Sequence, residues 1–174
     1  MFRILYPKMY VSSVSEIQPV LLKELGIKAV LLDLDNTIVR RDAFHFTPAV
    51  SNWLSELRSL GLELCIVSNN SRGRVGSIAG LMDLPAVPRA VKPFVSSFRR
   101  ALKLTGTLPG ETALVGDQIF TDILGGNLTG LYTILVVPMK GKEFWGTRLF
   151  NRPLEKIVLA RLKKCPEVFH GKWD

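Results

Sequence analysis

Apolar residues fall in short continuous runs along this chain, separated by stretches whose apolar positions recur every three or four residues. The continuous runs, Lys28–Leu34, Leu62–Val67, Thr112–Val115 and Leu131–Val137, read as β-strands, and a weaker one covers Ala86–Val91. Helical spacing fills the gaps. Pro19–Leu25 has Ser15 and Gln18 ahead of it, Pro19 in its first turn and Gly26 as its stop. Thr47–Leu60 has Pro48 just inside its start, a stripe of Trp53, Leu54, Leu57 and Leu60, and Gly61 as its stop. Further helices are predicted over Arg72–Met82, Pro93–Leu104 and Phe120–Leu128. Strands that alternate with helices and are apolar throughout predict an α/β fold, a parallel sheet covered by helices on both faces. No internal repeat and no low-complexity linker interrupts it. Residues 1–139 read as one domain, and a segment of different character follows over 140–174.

In such sheets ligands bind beyond the carboxyl ends of the strands. Asp33 and Asp35 lie where the first predicted strand ends, Ser68, Asn69 and Asn70 follow the Leu62–Val67 strand, and Gly116 and Asp117 follow the Thr112–Val115 strand. Three polar clusters distant in sequence therefore fall on one edge of one sheet. Asp33 and Asp35, with Asp117 and Asp122 brought in from another strand end, would repel one another unless a cation sat among them. An all-oxygen set of donors suits a hard ion, and Mg²⁺ is the expected one. Ser68 and Asn69 offer hydrogen-bond donors to phosphate oxygens, and Lys92, just before Pro93, adds a cation near a helix start. Together these are the parts of a phosphoryl-transfer site. Each residue also has a plainer reading: an acidic turn for Asp33 and Asp35, turn geometry for Ser68, Asn69 and Asn70, a solvated charge for Lys92, a helix cap for Asp122. His45, between Phe44 and Phe46, reads as packing or surface, and Cys65, inside a strand, as core.

These residues resemble the haloacid dehalogenase-like (HAD) phosphatases. The family's DxDxT is Asp33-Leu34-Asp35-Asn36-Thr37, its strand-ending Ser is Ser68 in IVSNN, its Lys is Lys92 in AVKPF, and its GDxxxxD is Gly116–Asp122, GDQIFTD. Order and spacing fit from about Val30 to Thr133. The resemblance implies a Rossmann-like sheet, with Asp33 as a nucleophile that forms an aspartyl-phosphate. It implies Asp35 as the acid and base, and magnesium held by Asp33, the Asp35 carbonyl and Asp117. Asp122 would support that shell, Thr37 would fix the loop, and Ser68 and Lys92 would hold phosphate oxygens, Lys92 also screening the acidic cluster. One helix fills the gap from Thr37 to Leu62 and one more that from Asn70 to Lys92, so no sizeable cap domain fits. An open site admits a phosphate on something large, or a small molecule if a second subunit closes it. GIKAVLLDLDNT, SNN, KP and GDQIFTDILGGN resemble subfamily IIIA, the YqeG-like branch related to the phosphatidylglycerophosphate phosphatases. That branch implies phosphatidylglycerophosphate as substrate and phosphatidylglycerol as product.

Composition changes the picture in one respect. The 174 residues are 47% hydrophobic and 22% charged, which suits a folded domain, but the net charge of +8 draws the chain toward an acidic partner. Residues 140–174 hold nine Lys or Arg against four acids, +5 of that total. PLEKIVLARLKKC puts Leu154, Ile157, Val158, Leu162 and Cys165 on one helical face with basic residues around it, after Phe144, Trp145, Leu149 and Phe150. Such a segment either packs on the domain with its charges solvated or meets an anionic bilayer from its surface. The expected partner is a phosphorylated substrate, an anionic lipid first and a soluble phosphomonoester or phosphoprotein second. A nucleic-acid-binding role is argued against, because the aromatics do not alternate with the basic residues. Two cysteines outside any CxxC pair argue against a disulfide framework or zinc site. The N-terminus lacks the pattern of a signal peptide and no run reaches the roughly 20 apolar residues of a membrane span. The expected location is the cytoplasm, at the inner face of the membrane.

Overall fold

The computed structural model describes residues 3–139 and 169–170. In chain order the regular elements are β1 (Met9–Val11), α1 (Pro19–Glu24), β2 (Ala29–Leu32), α2 (Pro48–Ser59), β3 (Glu63–Val67) and α3 (Arg72–Ala79). There follow β4 (Ala86–Val87), α4 (Val95–Thr105), β5 (Thr112–Gly116), α5 (Leu124–Thr129), β6 (Tyr132–Val136) and β7 (Phe169–His170). A wide π-helical turn, Ile119–Ile123, leads into α5. The strands form one sheet in the order β4-β3-β2-β5-β6-β1-β7, and every pair is parallel. This is the expected α/β architecture. No domain is inserted between β2 and β4, so among the described residues the sheet edge carries no sizeable cap.

Alternate residues of each strand face opposite sides, and each side has its own core. Val30, Leu32, Leu64, Ile66 and Val115 point to one face, where Leu22 of α1, Leu54 and Leu57 of α2 and Ile78 of α3 cover them. Leu31, Cys65, Val67 and Leu114 point to the other, against Phe98, Ala101 and Leu102 of α4. All four residues of β2 are fully buried, which is why their run in the sequence is continuous rather than alternating. On the second face α5 lies very close to the sheet. A Cβ at Gly126 would come within 2.5 Å of Thr133, and one at Gly125 within 2.4 Å of Phe98.

Several boundaries differ from the sequence reading. β1 falls in the N-terminal stretch, where three residues are too few to give a pattern; its neighbours are β6 and β7. The Ala86–Val91 run keeps only two strand residues, because Arg89 and Val91 take positive φ values of 48° and 54° that end the strand. The Phe120–Leu128 helix is split into the π-helical turn and α5. The amphipathic helix predicted around residues 153–165 lies outside the described residues. Among the described residues no helix is long and apolar enough to cross a membrane.

Candidate active site

β2 ends at Leu32, so Asp33 is the first residue beyond the strand, its N–H still bonded to the Val115 carbonyl at 2.9 Å. Ser68 follows β3 in the same way, donating its N–H to Val87 O at 3.1 Å. Asp117 follows β5. The three predicted clusters thus share the carboxyl edge of the central strands, and Asp33, Thr37, Ser68, Lys92, Asp117 and Asp122 are all buried there.

Lys92 organises the centre. Its ammonium donates to Asp33 Oδ1 and, at 2.6 Å, to Asp122 Oδ1. Asp122 is fully buried, and its other oxygen accepts the Gln118 N–H at 3.1 Å. The π-helical turn brings it there: the side chain lies against Gly116, where a Cβ would come within 2.4 Å of Asp122 Cγ. Only glycine at position 116 leaves that space. Asp33 Oδ2 accepts the Thr37 hydroxyl at 3.1 Å. Burial pushes the Asp33 carboxyl up to about 6, against the attraction of Lys92 and with the help of Asp122 and Asp35. Burial pulls the Lys92 ammonium down, but Asp122 and Asp33 outweigh it and hold Lys92 above its usual range.

A metal fits this set. Asp33, Asp117 and Asp122 each offer a carboxylate oxygen, all within 4.8 Å of one another. Asp117 Oδ1 is buried and receives no hydrogen bond, although the residue is engaged through other contacts. Buried carboxylates this close, all oxygen donors, suit a hard divalent cation. The side chain of Asp35 does not join the cluster. It turns to α3, where Arg74 Nε donates to Oδ1 at 2.8 Å, and Asn70 Nδ2 donates to Oδ2 at 2.7 Å.

Asn69, a predicted phosphate ligand, uses its amide to hold the Lys92 peptide. Its Oδ1 accepts the Lys92 N–H at 2.7 Å and its Nδ2 donates to the Lys92 carbonyl at 3.4 Å. Ser68 Oγ accepts the Asn70 N–H at 3.2 Å. His45 is exposed and Cys65 is fully buried. The sequence reading missed Arg74 and the Asn70 contact with Asp35. The only signal for Arg74 was its place in the first turn after SNN, which does not reveal a partner 39 residues away.

Comparison with known proteins adds the family. A model described as "Mitochondrial PGP phosphatase" matches residues 2–79, and one described as "HAD-hyrolase-like" matches residues 90–142. "Probable phosphatase YqeG" of Bacillus subtilis is 36% identical over 168 residues, covering 97% of this chain and 95% of that protein. The chain belongs to the YqeG-like HAD phosphatases. "Phosphatidylglycerophosphatase GEP4, mitochondrial" of Saccharomyces cerevisiae is 32% identical over 147 residues, 76% of this chain and 75% of that protein. A crystal structure of a HAD phosphatase from Thermococcus onnurineus has the same fold, with a TM-score of 0.57 and 19% identity, over 76% of this chain and 98% of that one. As a HAD phosphatase this chain is an enzyme, and its GDxxxxD carboxylates belong to the acidic cluster that could bind a metal.

Proposed function

We propose that this phosphatase removes the terminal phosphate of phosphatidylglycerophosphate, with Mg²⁺ and through an aspartyl-phosphate on Asp33. One observation carries the chemistry: Asp33 sits buried at the open sheet edge, between a lysine and two further carboxylates. Asp33 attacks phosphorus, forming an Oδ–P bond as the ester P–O bond breaks. Asp35 gives the leaving oxygen its proton, then takes one from the water that cleaves the acyl phosphate. Thr37 holds the carboxylate, and Ser68 and Lys92 hold phosphate oxygens, with Asn69 fixing the Lys92 peptide. Asp33, the Asp35 carbonyl and Asp117 would hold the magnesium, with Asp122 supporting them, and the ion would neutralise charge on the transferred group.

The lipid reading is supported by the family description, by the named activity of the yeast relative and by the rim of the site. Val91 and Phe94, 60% and 66% exposed, flank buried Lys92, and Phe44, 61% exposed, lies over Arg74. Arg72, the first residue of α3, and Arg89, in the loop after β4, are exposed near the same edge. Exposed apolar side chains among cations suit an anionic bilayer surface. The enzyme would then work at the inner face of the membrane, from the cytoplasm, with residues 140–174 adding charge.

The test is phosphate release from phosphatidylglycerophosphate in mixed micelles with Mg²⁺, wild type beside Asp33→Asn. Release by the wild type alone is expected. Hydrolysis of an aryl phosphate with none of the lipid would keep the chemistry and turn the substrate to a soluble phosphomonoester or phosphoprotein. Full activity in Asp33→Asn would overturn the chemistry.

A further inference from the structure

Arg74 stands at the third position of α3, the helix that starts after Ser68-Asn69-Asn70. Its side chain is 11% exposed and that of Asp35 is 14% exposed. Both Nε and Nη2 lie 2.8 Å from Asp35 Oδ1. The remaining reach of the guanidinium goes to main chain: Nη1 donates to Ala43 O at 2.9 Å and Nη2 to Arg40 O at 3.1 Å. The Phe44 ring covers it, its centroid 4.9 Å from Cζ. With Asn70 on Oδ2, both oxygens of Asp35 are held from the loop and helix that follow β3.

This is more than an ion pair between two surface charges. A planar, fixed fork that meets a carboxylate, two carbonyls and a ring sets the rotation of Asp35 and the position of segment 40–44 together. A lysine has one nitrogen and cannot make those contacts at once. We propose that Arg74 is the positioning residue for Asp35, holding its carboxylate where the leaving oxygen and the attacking water must be met. The inference rests on Asp35 being the acid and base of the proposed reaction. Arg74 touches neither phosphate nor metal in this role; it acts through Asp35.

Misplacing a catalytic group by about 1 Å costs on the order of 100-fold in rate. Arg74→Met is expected to lower kcat about 10- to 100-fold while KM changes little. An alkyl phosphate, whose leaving group needs a proton, should lose more kcat/KM than a p-nitrophenyl ester, which does not. Arg74→Lys should recover only a small part. In an Asp35→Asn background Arg74→Met should cost nothing further. A raised KM with unchanged kcat would overturn the proposal, because Arg74 would then bind substrate. Equal losses on both esters, additive with Asp35→Asn, would also overturn it, because Arg74 would then serve only the fold. Wild-type discrimination between the esters in Asp35→Asn alone would instead refute the acid and base role of Asp35. Melting temperatures of each variant separate unfolded protein from impaired chemistry.

Discussion

The charge of Asp33 is kept at a cost to the fold, and the cost can be measured. Asp33 is 6% exposed, and its carboxyl rises from its ordinary 3.8 to about 6, even with Lys92 bonded to it. Burial therefore outweighs the lysine's attraction. A group whose pKa is raised on folding supports stability below its unfolded value and withdraws that support as pH climbs to the folded one. The loss here starts near 3.8 and is complete somewhat above 6. At about 1.4 kcal/mol per tenfold shift in the proton equilibrium, it amounts to about 3 kcal/mol. Asn mimics the neutral carboxyl in size and shape. Metal-free Asp33→Asn should therefore be more stable than the wild type at pH 8 by up to about 3 kcal/mol, or about 6–12 °C in melting temperature for a chain of this size. Below about pH 4 the gap should close, since Asp33 is then protonated in both states. Added Mg²⁺ should narrow it at pH 8 by stabilising the wild type. Thermal unfolding followed by circular dichroism, in chelator and in Mg²⁺ across pH, reads all three. Equal melting temperatures at pH 8 in chelator, or a less stable variant, would refute the reasoning.

Three further outcomes follow from the same geometry. Gly116→Ala should cost about 1–3 kcal/mol of stability and most of the activity, because a Cβ would meet Asp122 Cγ at 2.4 Å and both Asp122 oxygens are committed; unchanged unfolding and turnover would contradict that packing. Cys65 is fully buried and burial pushes its thiol up to about 12, so it should resist thiol reagents at pH 8 until the protein unfolds; rapid labelling of native protein would contradict its core position. Phe94→Ser should lower flotation with anionic vesicles and turnover of lipid more than turnover of an aryl phosphate; equal effects would remove the rim from the lipid reading.

Much of the site could be read from the sequence because strand ends can be read. A continuous apolar run marks a buried strand, and the first polar residues after it mark the sheet edge. Asp33, Ser68 and Asp117 came from that rule alone, Lys92 from its place just before Pro93 at a helix start, and Asp122 from the acidic set and the resemblance to GDxxxxD. What stayed hidden depends on side-chain direction. No local pattern tells that Asp35 turns to Arg74, that Asn69 grips the Lys92 peptide, or that Asn70 is the residue reaching Asp35. The spacing over Phe120–Leu128 predicts one ordinary helix; the structure widens its start, Ile119–Ile123, where Asp122 lies against Gly116 and reaches Lys92. Strands of two or three residues, β1, β4 and β7, are set by neighbours in the sheet rather than by their own composition.

The central claim is that phosphate passes through Asp33. Acid quenching during turnover of phosphatidylglycerophosphate, followed by borohydride reduction and peptide mass analysis, tests it most directly. Reduction converts an aspartyl-phosphate to homoserine and leaves free aspartate untouched. The account predicts homoserine at position 33 in the wild type and none in Asp33→Asn. Sustained phosphate release with no adduct at position 33 at any quench time, or an adduct on another residue, would contradict it.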